Sequence, residues 1–199
     1  MLLHHNPASP FVRMVRVVAR ETGQTDDIQE DVAMILPIER HDATSSANPL
    51  GRIPALVTDD GQGVFDSRVI CAYLAHRAGN TEIHPSTDFR VMTLFALAQG
   101  LCDSAVNLRY ETGLRPEALQ WDQWINRQTE RIEATLDDLN SNWQDELASV
   151  HVGSIGVAVA LGYLDFRYPD LGWRGGREAL TAFYDSFSQR PSMQDTVPG

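Results

Sequence analysis

Two hydrophobic periods divide this chain of 199 residues. Met1 to His5 is a short apolar run that predicts a strand, and Pro10 to Thr22 predicts a helix, with Val12, Val15, Val18 and Ala19 on one face and Arg13, Arg16 and Arg20 on another. Gly23 ends that helix. Ile28 to Ile35 predicts a second strand, and Pro37 to Ser46 an irregular helix or loop. Ala55 to Thr58 and Val64-Phe65 flank Asp59-Asp60-Gly61-Gln62-Gly63, the turn signal of a β-hairpin. A helix from Ser67 to about Arg77 follows, with Val69, Ile70, Tyr73 and Leu74 expected to face inward. The order βαβαββα predicts a mixed sheet covered by helices.

Beyond about residue 87 the pattern is helix and connecting turn only. The polar stretch Gly79-Asn80 through His84-Pro85-Ser86 reads as a linker over 79–87, separating an α/β domain at 1–78 from an all-α helical bundle at 88–199. In the second part, Thr87 to Glu111 predicts one helix. A second starts after Pro116 with Ile125, Ile132, Leu136 and Leu139 at heptad-like spacing. Val152 to Phe166 is apolar almost all round, the mark of a helix at the centre of a bundle. A last helix is expected from Gly176 to Gln189. No apolar run is expected to reach the roughly 18 residues of a membrane span.

Composition narrows the functions open to such a chain. At 43% apolar residues and mean hydropathy −0.26 it reads as globular. A formal net charge of −11 argues against binding nucleic acid or an anionic membrane, which needs clustered cations. All 16 cations are arginine, so Schiff-base lysine chemistry and a P-loop lysine are excluded. The six histidines form no H-E-x-x-H or other close ligand spacing, so no metal site is expected. Cys71 and Cys102 lie in apolar helical patterns with no C-x-x-C and read as buried reduced thiols. The first residues lack the features of an export signal, which makes the cytoplasm the expected location.

Three short segments carry candidate chemistry. Ser9-Pro10 places a hydroxyl at a helix start, because serine is a preferred N-cap and proline suits the first helical position; the unpaired N–H groups and macrodipole there favour an anion. Ile53-Pro54 opens a strand after a turn, where a cis bond would let Ile53 offer its N–H and C=O to a peptide-like ligand; the trans isomer stays open. Asp66-Ser67 begins the next helix and joins a carboxylate, a hydroxyl and helix N–H donors. That set suits an amino-acid head group, with the ligand's carboxylate on Ser67 and its ammonium towards Asp66.

Ser9-Pro10-Phe11-Val12-Arg13, the run Asn48-Pro49-Leu50-Gly51-Arg52-Ile53-Pro54-Ala55-Leu56-Val57, and Phe65-Asp66-Ser67-Arg68-Val69-Ile70 together resemble the glutathione S-transferase family. The resemblance spans the chain and includes Arg109-Tyr110-Glu111, Leu161-Gly162-Tyr163-Leu164-Asp165-Phe166-Arg167 and Arg190-Pro191-Ser192. It implies a thioredoxin-like N-terminal domain that holds glutathione as co-substrate and a helical domain that supplies an electrophile pocket. By the same resemblance Ser9 faces the glutathione sulfur and is the catalytic residue. Arg52, Ile53, Pro54, Asp66 and Ser67 bind glutathione, and Phe11, Arg109 and Tyr110 line the electrophile pocket. The implied activity is transfer of glutathione to a small hydrophobic electrophile, a detoxifying reaction, by a cytoplasmic homodimer with the fourth helix as candidate dimer face. Isomerase or peroxidase chemistry on the same thiolate, or a non-catalytic glutathione-binding scaffold, are the alternatives. One departure stands out: His151-Val152-Gly153-Ser154 occupies the place of the family's Ser/Thr-x-x-Asp cap, so the reciprocal cap of that helix is not expected to carry over.

Overall fold

A computed structural model of the protein describes residues 1–33 and 36–199. It divides into two compact units, Met1–Asp88 with Arg190–Gly199, and Phe89–Gln189.

The first unit is built on a four-stranded sheet in the order β2-β1-β3-β4, from β1 (Leu2–His5), β2 (Gln29–Val32), β3 (Ala55–Val57) and β4 (Gly63–Val64). β1 and β2 are parallel, as a β-α-β crossover requires, and the other pairs are antiparallel. The expected second strand is shorter than its pattern, and its expected last residues, 34 and 35, lie outside the described residues. Helices α1 (Pro10–Glu21) and α3 (Ser67–Arg77) pack on each other and, with Leu3, Leu56 and Val64 of the sheet, bury Val12, Val15, Val18, Ile70 and Leu74. Between β2 and β3 the chain forms the six-residue α2 (Asp42–Ala47), where an irregular helix or loop was expected.

Two side chains depart from the sequence pattern. Val69 is 51% exposed because the inward stripe of α3 is Ser67, Ile70, Cys71, Leu74 and Ala75, one position round from the expected face. Arg13 is only 5% exposed despite its place on the arginine face. Its guanidinium donates to the carbonyl of Met193 at 3.1 Å and to Thr196 Oγ1 at 3.5 Å, because α9 (Pro191–Gln194) covers that side of α1.

The second unit consists of α4 (Phe89–Gly113), α5 (Asp122–Asn142), the short α6 (Gln144–Leu147), α7 (Val152–Arg167) and α8 (Glu178–Phe187). α7 is buried along Val152–Leu164, as its unbroken apolar pattern predicts, and lies between α4 and its other neighbours at close range. A Cβ on Gly156 would stand 3.0 Å from the Ala98 methyl of α4. The start of α7 corrects the expectation drawn from its unusual cap. His151 Nδ1 accepts from the Ser154 N–H at 3.2 Å and Ser154 Oγ accepts from the His151 N–H at 3.1 Å, so an imidazole performs the reciprocal cap. α4 has the expected length and begins two residues later than expected. Among the described residues it is one helix long and apolar enough to cross a membrane, with mean hydropathy 1.3 over 18 residues, 56% of that window being buried, although isolated polar residues break its apolar run. Cys71 and Cys102 are both fully buried and unpaired by disulfide, and burial pushes both thiols far up from their ordinary value.

Candidate functional site

The strand registers place three of the sequence-predicted segments at one end of the sheet. His4 pairs with Ala55, so one further step puts Pro54 across from His5 at the point where β1 runs into the loop leading to Ser9. Leu56 pairs with Val64, and two further steps put Asp66 across from Pro54 on the other side. Ser9, Ile53-Pro54 and Asp66-Ser67 therefore share an edge although up to 58 positions separate them in sequence.

Ser9 is the N-cap of α1, with Pro10 in the first turn, as its position predicted. Its own N–H donates to Asn6 O at 2.9 Å, which holds the loop. Its Oγ accepts a long hydrogen bond, 3.4 Å, from Val12 N–H. Such a contact is weak, and it occupies an oxygen lone pair and leaves the hydroxyl proton available for donation.

The Ile53–Pro54 peptide bond is cis. No hydrogen bond from another described residue reaches the N–H or C=O of Ile53, which is half-buried. The turn before it is organised by Asn48, 2% exposed: its Nδ2 donates to Arg52 O at 2.9 Å, its Oδ1 accepts from Leu50 N–H at 3.0 Å, and Gly51 supplies the positive φ of 63°. Asn48 was not singled out among the candidate residues, although an Asn-Pro-x-Gly turn is a recognisable signal for such an arrangement. Arg52 projects into solvent with no carboxylate within 4.0 Å among the described residues.

Asp66 caps α3, accepting from Arg68 N–H at 3.0 Å, and Ser67, 2% exposed, is the first helical residue. The Phe65–Asp66 bond is also cis. Sequence reasoning passed over Arg68, whose Nη2 donates to Asp66 Oδ2 at 2.8 Å. Burial acts to raise the Asp66 carboxyl, but hydrogen bonds from the Arg68 side chain and backbone outweigh it and hold the group below its ordinary value, so it is an anion at neutral pH. Both partners of this pair are more than half exposed, which leaves the carboxylate able to exchange partners with a cationic ligand.

Phe11 lies half-buried in the first turn of α1. Arg109 and Tyr110 stand on the exposed side of α4 in the second unit. Among the described residues no group of three or more potential metal ligands comes together.

A helix start bearing a hydroxyl, an unpaired backbone edge before a cis-proline and an acidic helix cap thus stand together at one end of a thioredoxin-like sheet that is followed by a helical unit. The Glutathione S-transferase, N-terminal domain profile matches residues 8–77 and the Glutathione S-transferase, C-terminal domain profile matches residues 122–186. The chain is 32% identical to the GST-like protein YibF of Escherichia coli (strain K12), with 96% of this chain and 95% of that protein covered. A glutathione transferase family member from Pseudomonas fluorescens Pf-5 with bound glutathione is 44% identical with a TM-score of 0.96, over 100% of this chain and 98% of that one. A further structure from the same source, with bound S-(propanoic acid)-glutathione, superposes with a TM-score of 0.91 at 44% identity over the whole of both chains. A glutathione S-transferase from Methylobacillus flagellatus KT with glutathione bound is 32% identical, with a TM-score of 0.85, covering 100% of this chain and 99% of that one. The protein belongs to the glutathione S-transferase family.

Proposed function

We propose that the protein transfers glutathione to a small electrophile, with Ser9 donating a hydrogen bond to the thiolate. The observation that carries this reading is the Ser9 hydroxyl, held at a helix start by one weak 3.4 Å contact and so free to donate. A thiol of pKa ~8.5 must be lowered by roughly 2 units, about 3 kcal/mol, to be mostly ionised at neutral pH. A hydrogen bond to a charged group supplies about 1.5–3 kcal/mol and a helix N-terminus about 0.3–1 kcal/mol, which together suffice without a general base. The thiol proton goes to solvent, the sulfur forms a bond to the electrophilic carbon, and the leaving group departs with its electron pair or, in an addition, the neighbouring carbon takes a proton.

In this reading Ile53 pairs its backbone with the peptide, with Pro54 fixing the bend; Asp66 and Ser67 hold the γ-glutamyl end and Arg52 the glycine carboxylate. Phe11, Arg109 and Tyr110 are the residues that the family resemblance implies for the electrophile pocket. The acid-bearing thioether held by the Pf-5 relative is the kind of product such a reaction makes. The protein works as a cytoplasmic homodimer, as the family resemblance implies, and sedimentation equilibrium measures that state directly.

The test is Ser9→Ala in conjugation of chlorodinitrobenzene. The acid limb of its pH–rate profile is expected to move up by about 1–2 units, corresponding to loss of one charge-assisted hydrogen bond. A profile that overlays the wild type assigns the serine no part in thiol ionisation, and absence of glutathione binding by calorimetry at millimolar ligand points to a scaffold.

A further inference from the structure

Most arginines of this acidic chain lie against a carboxylate, and Arg131 of the helical unit donates to Gln128 Oε1 at 3.4 Å, but Arg109 and Arg167 of that unit have no carboxylate within 4.0 Å among the described residues. The two are brought to one place by Tyr168. This residue directly follows Arg167 at the end of α7, and its hydroxyl donates to Ala105 O at 2.7 Å, one helical turn before Arg109 on α4. Both guanidinium groups act electrostatically on the Tyr168 hydroxyl.

Neither arginine is spent on structure in the way its neighbours are. Arg167 lies 4.1 Å over the Phe166 ring and meets the Tyr163 hydroxyl, yet its Nε is buried with no hydrogen-bond acceptor. A buried guanidinium N–H without an acceptor is costly, so the fold holds this arginine in place without giving it a carboxylate. Arg109 lies across Gly113, where a Cβ would come within 2.2 Å of its Nη1, so the glycine makes room for the guanidinium. Two acids close in sequence are already engaged: Asp165 accepts from Arg174 at 2.6 and 2.8 Å and from Trp173 Nε1, and Glu111 accepts from Arg115 and from the Trp121 N–H. Arg109 and Arg167 thus stand near one tyrosine with no carboxylate of their own among the described residues, in a chain of net charge −11.

We propose that Arg109 and Arg167 form a carboxylate subsite on the helical unit, selecting electrophiles that carry an acid group. Guanidinium donors match the two oxygens of a carboxylate, and Tyr163, which burial pushes up to about 12, stays a neutral phenol beside them. This inference rests on the conjugation reading given above. The preferred reaction is attack of the glutathione thiolate on a halogen-bearing carbon of an organic acid: the C–S bond forms, the carbon–halogen bond breaks, and halide leaves with the electron pair.

The probes are chlorodinitrobenzoate and its neutral carboxamide, each rate being divided by the uncatalysed rate with glutathione. The wild type is expected to favour the acid in kcat/KM by about tenfold or more, and Arg109→Gln and Arg167→Gln each to lower that acid-to-amide ratio by about ten- to a hundredfold, as loss of a charge-assisted hydrogen bond implies. Arg167→Lys, which keeps the charge without the fork, is expected to fall between. The ratio is insensitive to a misfolded fraction, which lowers both rates alike. A wild-type ratio near one, or a ratio unchanged in the Gln variants, overturns the proposal. If neither compound is turned over, the conjugation reading has failed by itself. The arginines are then judged by calorimetry with the two preformed glutathione thioethers, where equal affinities in wild type and variants reject the subsite.

Discussion

Replacing Glu21 by alanine is expected to destabilise the first unit by about 2 kcal/mol while leaving the last ten residues docked. Glu21 stands in the last turn of α1 with its side chain 13% exposed. It accepts from Arg190 Nε at 2.9 Å, from Arg190 Nη2 at 2.7 Å and from Ser192 Oγ at 2.5 Å. A buried hydrogen bond to a charged group contributes about 1.5–3 kcal/mol, whereas an exposed ion pair contributes about 0–1 kcal/mol. The Arg190 side chain is 36% exposed, so solvent screens its half of the contact, while Ser192 at 5% exposed cannot turn to water for a substitute. The estimate therefore lies between the limits. The segment stays in place because Arg13 independently holds Met193 and Thr196, and because Met193 is fully buried.

Urea unfolding of the wild type, Glu21→Ala, Arg190→Ala and the double variant gives the coupling between the two groups, expected at about 1 kcal/mol or more. The same contact makes a prediction about acid. Burial acts to raise the Glu21 carboxyl, but the Arg190 and Ser192 hydrogen bonds and the Arg190 charge win and lower it. A carboxyl whose folded value is below its unfolded one contributes in full above the unfolded pKa of about 4.3, and the contribution is lost as pH falls through the folded value. Glu21→Gln is therefore expected to flatten the acid limb of the stability curve. A coupling under about 0.5 kcal/mol, together with an acid limb in Glu21→Gln as steep as in the wild type, would refute the reasoning and make this a surface pair.

Gly63→Ala is expected to cost about 2 kcal/mol or more in thermal or urea unfolding, since its Cβ would stand 2.2 Å from the Ala47 carbonyl oxygen and backbone would have to move; an unchanged midpoint contradicts this. His151→Ala is expected to cost about 1 kcal/mol and His151→Asn distinctly less, because asparagine keeps an acceptor for the Ser154 N–H; equal losses in the two variants would show that the imidazole acts by packing and not by capping. His5 is 3% exposed with no hydrogen-bond partner for either ring nitrogen, and burial, against the opposing charge of Glu30, lowers its pKa. The unfolded chain then takes up a proton below about pH 6.5 that the folded chain refuses, so stability falls as pH drops through that range; His5→Leu is expected to remove the slope, and an identical slope in the variant would refute it.

The sequence pattern is informative where the partner of a residue is local and silent where the partner is distant. Helix α1, its serine cap and the hairpin turn follow from spacings of two to four residues, and all are found where the pattern places them. The inward face of α3 was misread because small residues carry part of it: Cys71 and Ala75 are buried, whereas the more conspicuous Val69 is 51% exposed. Arg13 presents the harder case, since a charged residue on a polar stripe has no local reason to be buried, and its acceptors come from 180 and 183 positions away. The same division runs through the candidate site. Ser9 and Asp66 announce themselves as helix caps, but that they share a sheet edge depends on the registers of β1, β3 and β4, and the isomer of the Ile53–Pro54 bond has no local signature. Arg109 and Arg167 go further: each is an ordinary helix-surface arginine in sequence, and the packing of α7 on α4, with the bond from Tyr168 to Ala105 spanning 63 residues, brings both to act on one tyrosine. In a chain whose cations are all arginine, sequence alone does not separate those that meet an acid from those that do not, because the ion pairs are created by the fold.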